Sequence, residues 1–334
     1  MNIIIPMAGL GKRLRPHTLT TAKPLIPIAG KPMVHRLVED IAKVCPEKIN
    51  HIGFIVHPSF GKQVEDDLKA VAKAVGAEGE IYYQEQALGI SHALLFAKEL
   101  FEGKVIVAFA DTLFKADFKL DTSRDGTIWV QKVENPSQFG VVKLNEKGEI
   151  IELVEKPTTF VSDLAIIGIY FFKKGEALRN EMQYLIDNNI KEKGEFQFTT
   201  ALENMKKKGA MFIPGQVKEW LDCGNKEAVI QTNQRYLEFI KDQPLVSAQA
   251  KLINSVIIPP VFVDSDVVIE NSVIGPHVSI GAYTTVRASR IFNSIIQKNC
   301  SVNSAILHNS LLGNFVNFEG TSEDLSLGDY STSS

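Results

Sequence analysis

Cysteine is scarce in this chain: Cys45, Cys223 and Cys300 are the three among 334 residues. An odd, widely separated set with no CxxC pair excludes a disulfide framework and a cysteine metal site, so all three read as reduced thiols. An excess of one charge is also missing. With 36 Lys and Arg against 39 Asp and Glu, the net charge is −3. That rules out a broad electrostatic surface for nucleic acid or anionic lipid, and local basic clusters must then be read as sites. Long hydrophobic runs are lacking too. The longest, Leu164–Phe172, falls well short of the ~20 apolar residues a spanning helix needs. Near the start, Ile3–Leu10 is mostly apolar, but its positive charges follow it, the reverse of a signal peptide, so the cytoplasm is the expected location. His17, His57 and His92 have no metal-ligand spacing and read as structural or surface residues.

What is present begins at the second residue. Asn2–Ile5 is an apolar strand that runs into Ala8-Gly9-Leu10-Gly11-Lys12-Arg13. Glycines permit close backbone approach and two cations follow at once, a combination suited to a polyphosphate. The common phosphate motifs do not fit. A dinucleotide fingerprint needs a third glycine where Leu14 stands, and a Walker A loop needs glycine and Ser or Thr where Pro6 and Arg13 stand. The bland alternative is a basic loop between a strand and a helix.

The chain is long enough for about two domains, and 45% hydrophobic with 22% charged residues is ordinary for a globular protein. Strands near Ile52–Val56, Ile81–Tyr83 and Val105–Phe109 alternate with helices. The apolar faces of those helices are Val34, Leu37, Val38, Ile41 and Cys45, then Val64, Leu68, Val71 and Val75, then Ile90, Ala93, Leu94 and Ala97. Shorter strands follow at Ile128–Val133, Gly140–Leu144, Ile150–Val154 and Ala165–Phe172, with helices near Glu176–Asp187, Phe198–Lys207 and Lys226–Ile240. The expected class is α/β, a doubly wound, mixed but mostly parallel sheet. On such sheets ligands bind beyond the carboxyl ends of the strands, where Ala8–Arg13, Gln84–Gly89 and Asp111 fall.

Beyond Asp242-Gln243-Pro244 the texture changes. Asn-Ser followed by two apolar residues recurs at Asn254, Asn271, Asn293 and Asn309, with Asn303-Ser304-Ala305-Ile306 as a variant, and Val268, Ile274, Ile280 and Val286 are spaced by six. This hexapeptide period predicts a parallel β-helix of about four coils of roughly eighteen residues. The expected division is 1–243, 244–320 for the β-helix, and a solvated, flexible tail at 321–334.

The first loop, with Gly9, Gly11, Arg13, Leu14, Pro16 and Thr18, then Lys23-Pro24-Leu25 and Lys31-Pro32-Met33, resembles the signature of the sugar-1-phosphate nucleotidyltransferases. The resemblance extends over about Met1–Ile240, and Lys12 replaces the family's usual threonine. With the resemblance, the second domain is expected to be a left-handed β-helix. The resemblance implies transfer of a nucleotidyl group from a nucleoside triphosphate to a sugar 1-phosphate, with Mg²⁺ as cofactor and a homo-oligomeric state. It is nearest to the glucose-1-phosphate thymidylyl- and uridylyltransferases.

Residue by residue, it implies nucleotide contacts at Ala8, Gly9, Gly11, Lys12 and Arg13, with base reading at Gln84 and Gly89. An amide suits that task because it offers both a donor and an acceptor. Metal ligation falls to Asp111 and to Asp222 in Trp220-Leu221-Asp222-Cys223-Gly224, for which a helix N-cap is the rival role. Sugar-phosphate contacts fall to Gly140, Glu155, Lys156 and Tyr170, with Glu195 a weaker candidate. Lys156 precedes a proline, which predicts an extended backbone there. Arg13, Lys23, Asp111, Lys156 and Asp222 form the implied catalytic set. Three alternatives stay open: a mannose-1-phosphate guanylyltransferase, a silent sugar-nucleotide sensor, and a bifunctional enzyme in which His277 or His308 serves acyl transfer.

Overall fold

The structure, a computed structural model, describes residues 1–321. Apart from Thr321, the expected tail lies outside the described residues. By packing, the chain divides into two units, Met1–Ile26 with Lys31–Gly224, and Pro27–Gly30 with the residues from Asn225 onward. Helix Lys226–Phe239 therefore belongs to the second unit.

The first unit is built on a nine-stranded sheet. Its parallel part runs Glu78–Tyr83, His51–Val56, Asn2–Pro6, Val105–Ala108. Ile3, Ile4 and Ile5 are fully buried, as expected of a strand covered on both faces. Leu164–Phe172 then enters antiparallel to Val105–Ala108, Gly126–Lys132 and Gly140–Leu144, which makes the sheet mixed. Helix Met33–Val44 buries Val34, Leu37, Val38 and Ile41. The core on the other side joins Phe101, Val107, Phe172, Met182, Phe198 and Phe212, and each full burial contributes about 2–3 kcal/mol.

Two features depart from the sequence reading. The helix expected through Ala97 is α-helical over Ile90–Leu94 and tightens to a 3₁₀ segment, Leu95–Phe101, with a break at Ala97. Phe212–Gln216, Thr112–Lys115 and Glu219–Asp222 are strands that periodicity does not reveal. The first carries Pro214 and Gly215, residues that argue against a strand. The other two pair with each other in antiparallel register, Asp222 opposite Thr112.

In the second unit, parallel strands stack into three sheets, as a β-helix requires. Its three corners are left-handed: Asn254, Asn271, Ala288 and Ser304 form one column, His277, Asn293 and Asn309 another, and Asp266, Tyr283, Asn299 and Phe315 the third. The Asn-Ser signature now has a cause. Asn tolerates the left-handed corner, and Asn254 donates to Asn271 at 2.7 Å, 17 residues on, as Asn293 does to Asn309, 16 residues on. The serine hydroxyl accepts the backbone N–H of the coil above, as in Ser272 N–H to Ser255 and Ser289 N–H to Ser272. A coil is thus 16 or 17 residues rather than eighteen. The strict period of six fails accordingly, because Ile269, fully buried, takes the inward place expected of Val268. Among the described residues no helix is long and apolar enough to cross a membrane.

Candidate functional site

The site gathers at the carboxyl ends of the parallel strands in the first unit. Gly11 has φ 57°, and a Cβ there would come within 3.0 Å of the Lys23 and Thr18 side chains. The Thr18 hydroxyl donates to the Gly11 carbonyl at 2.9 Å, which braces the loop from below. Gly9 faces open space, so its backbone is accessible to a ligand. Ala8, Gly9, Gly11, Lys12, Arg13, Lys23, Gln84, Gly89 and Asp111 all line one cleft of about 460 Å³, a size typical of small-ligand sites.

Beside the loop lies a charged constellation. The buried Lys23 ammonium donates to Asp111 Oδ2 at 2.7 Å, and the Cys223 N–H donates to the Asp111 carbonyl at 3.0 Å. This bond and the pairing of Asp222 with Thr112 bring two carboxylates 111 positions apart in sequence to one place. Burial pushes the Asp222 carboxyl above its ordinary range and the charge of Asp111 adds to the rise; Lys23, a backbone bond from Gly224 and Arg13 act the other way. A Cβ at Gly224 would sit 2.8 Å from Asp222 Oδ2 and 3.3 Å from an Arg13 nitrogen, so glycine leaves the two charged groups room to approach. The helix that follows is capped by Asn225, whose Oδ1 accepts from the Ala228 N–H at 2.9 Å, which assigns the N-cap role to Asn225 rather than Asp222.

Gln84 is buried, and its amide NH₂ donates to the Gln86 carbonyl at 3.0 Å. Gly89, at φ 115°, presses on the backbone of Phe196: an added Cβ would meet its N and O at 2.6 Å.

Gly140, Glu155, Lys156 and Tyr170 form a second group. Gly140 pairs with Glu155 across two strands, and a Cβ on it would reach Glu155 Oε2 at 3.0 Å. Burial raises the Glu155 pKa, Lys156 and Lys193 oppose this, and Glu195, which also lines the cleft, adds to it. Tyr170 is buried among Phe109, Phe172 and Phe198, and burial, then Glu155, raises its pKa. The backbone of Lys156 is not extended. Its φ is 45°, held by its N–H to the Phe139 carbonyl at 3.1 Å and by Lys193, whose ammonium donates to the carbonyls of Glu155 and Lys156.

Residues 2–238 match the family model described as nucleotidyl transferase. The chain belongs to that family. Among curated relatives, 31% identity over 72% of the chain links this nucleotidyl transferase to a bifunctional protein GlmU of Methanococcus vannielii, and the match spans 56% of that longer protein. A glucose-1-phosphate thymidylyltransferase of Streptomyces antibioticus is 30% identical, over 94% of this chain and 92% of its own length. A solved UDP-glucose pyrophosphorylase complexed with UDP-glucose shares the fold, with a TM-score of 0.57 at 23% identity over 71% of this chain and 98% of its own.

Nucleotidyl transferases of this family generally use a divalent metal. Among the described residues no group of three or more His, Cys, Asp or Glu could hold an ion. Asp111 and Asp222 nevertheless fit one, because two carboxylates near enough that the charge of one raises the pKa of the other are a donor pair that phosphate oxygens and water can complete. Lys193 and the bracing role of Thr18 escaped the sequence reading. The signal for Lys193 was the Lys-Gly turn inside Glu192–Glu195; Thr18 was visible as part of the signature, but its bracing role was not.

Proposed function

We propose that this chain transfers a nucleotidyl group from a nucleoside triphosphate to a sugar 1-phosphate and releases pyrophosphate, with glucose 1-phosphate and a thymidine or uridine triphosphate as substrates. The observation that carries the reading is the placement of Arg13, Lys23, Asp111 and Asp222 around one glycine loop. The sugar phosphate is already an anionic nucleophile, so no strong general base is required. What the site must do is hold an attacking oxygen in line with the α-phosphorus and neutralise the departing pyrophosphate.

In this reading Arg13 and the amides of the Gly9–Lys12 loop hold the β- and γ-phosphates, Lys23 the α-phosphate, and Lys156 the attacking phosphate, with Glu155 and the Gly140 backbone against the sugar. Asp111 and Asp222 would hold Mg²⁺, which supplies charge neutralisation at the phosphates. The Gln84 amide NH₂ spends one of its two donors on the Gln86 carbonyl; the second donor and the carbonyl oxygen remain for the edge of a base. Self-assembly through the coils belongs to the same reading.

Pyrophosphate release measured over a grid of triphosphates and sugar 1-phosphates tests it. Turnover is expected with glucose 1-phosphate and a thymidine or uridine triphosphate, lost with chelator and restored by Mg²⁺. No release with any pair would refute the reading, and binding of a sugar nucleotide without turnover would favour the sensor alternative. One observation favours a second activity. In the second unit His277 Nε2 lies 2.7 Å from Glu238 Oε1, a carboxylate-oriented imidazole, and acetyl transfer from acetyl-CoA by the full chain would establish it. His308 instead stacks on Phe292 with centroids 5.5 Å apart.

A further inference from the structure

Lys156 and Lys193 are both left-handed, at φ 45° and 53°, a region unfavourable for side chains with a Cβ and crowded further at Lys156 by Pro157. Such positions persist where their surroundings over-determine them. Glu192 and Glu195 exchange two backbone hydrogen bonds of 3.0 and 3.1 Å, so Lys193 and Gly194, at φ 83°, are the central residues of a two-residue hairpin turn. Asn, Asp or Gly ordinarily fills the first of those places. The lysine found there spans 38 and 37 residues of sequence to donate to the carbonyls of Glu155 at 3.1 Å and Lys156 at 3.2 Å. The Lys156 ammonium itself lies 3.9 Å from Glu155 Oε1 and is mostly exposed, beyond hydrogen-bond length and available to an incoming anion.

We propose that Lys193 is a positioning residue: by clamping the two carbonyls that flank the Lys156 backbone, it sets where the Lys156 ammonium meets the sugar phosphate. The proposal rests on the reading that Lys156 binds that phosphate. It explains why a residue poorly suited to the turn occupies it, and why the turn sits against a strand end it does not pair with.

The test is a double-mutant cycle on the full chain, read as KM for the sugar phosphate, KM for the triphosphate, and Tm. Lys193→Asn suits the turn and removes the ammonium. It should raise the sugar-phosphate KM about tenfold, as for loss of charge-assisted hydrogen bonds, while triphosphate KM and Tm hold. Lys193→Arg should restore most of the loss. In a Lys156→Ala background, Lys193→Asn should add little, because its effect runs through Lys156. Full additivity would overturn the proposal and show that Lys193 touches the phosphate directly. A fall in Tm with both KM values unchanged would overturn it in favour of a purely structural clamp. If Lys156→Ala itself leaves the sugar-phosphate KM unchanged, the underlying reading fails first, and that outcome is distinct from the other two.

Discussion

The two units use their residues in opposite ways. In the first, each part is used once: one Gly11 at the loop, one Lys23 on Asp111, one Gly224 beside Asp222. In the second, the same corner, the same serine bridge and the same inward aliphatic recur coil after coil. A site made of single parts is brittle in function, whereas a repeated stack distributes any one defect over its neighbours.

The sharpest way to break this comparison is at Arg13. Arg13→Ala should lower kcat by about 10²–10³, as for loss of one preorganised charge donor, with no change in Tm because the side chain is exposed. Near-normal turnover would remove Arg13 from the machinery. Next in size is Ile280→Ala, which opens a cavity in a fully buried place. It should cost about 2–4 kcal/mol in the unfolding of the coils and leave the first unit's turnover unchanged in the folded fraction. A loss of kcat at a temperature where the protein is fully folded would show that the units are not independent. The smallest effect belongs to Asn271→Ala. It loses one rung bonded to Asn254, yet Ala288 already occupies the equivalent corner of the next coil, so denaturation should report a loss of only about 1 kcal/mol.

The same contrast explains what could be read in advance. The repeated unit announces itself through the recurring Asn-Ser, and only the coil length escapes, since from Asp266 onward successive left-handed corners fall five or six residues apart rather than six throughout. In the first unit, Asn2–Pro6 and its glycine loop are legible because composition and spacing alone mark them. The strands Thr112–Lys115 and Glu219–Asp222 are not, because each is only four residues long and exists through its partner more than a hundred positions away. Lys156 shows the limit of a local rule: a proline after it predicts extended backbone, and a long-range clamp from Lys193 overrides it. Asp222 is the reverse case, since its rival role as a cap was reasonable locally and disappears once Asn225 is seen to fill it.

The contact between Gly89 and Phe196 carries one more consequence. Phe196 N–H donates to the Leu88 carbonyl at 2.9 Å, Ser91 N–H to the Phe196 carbonyl at 3.2 Å, and the Ser91 hydroxyl to the Gln197 carbonyl at 3.1 Å. The segment carrying Gln84 and the hairpin carrying Lys193 are therefore stitched along a single seam of backbone, with no side chain between them at Gly89. A ligand that orders the Gln84 segment is therefore expected to quiet the Lys193 hairpin as well, which amide exchange of that turn with and without nucleoside triphosphate checks.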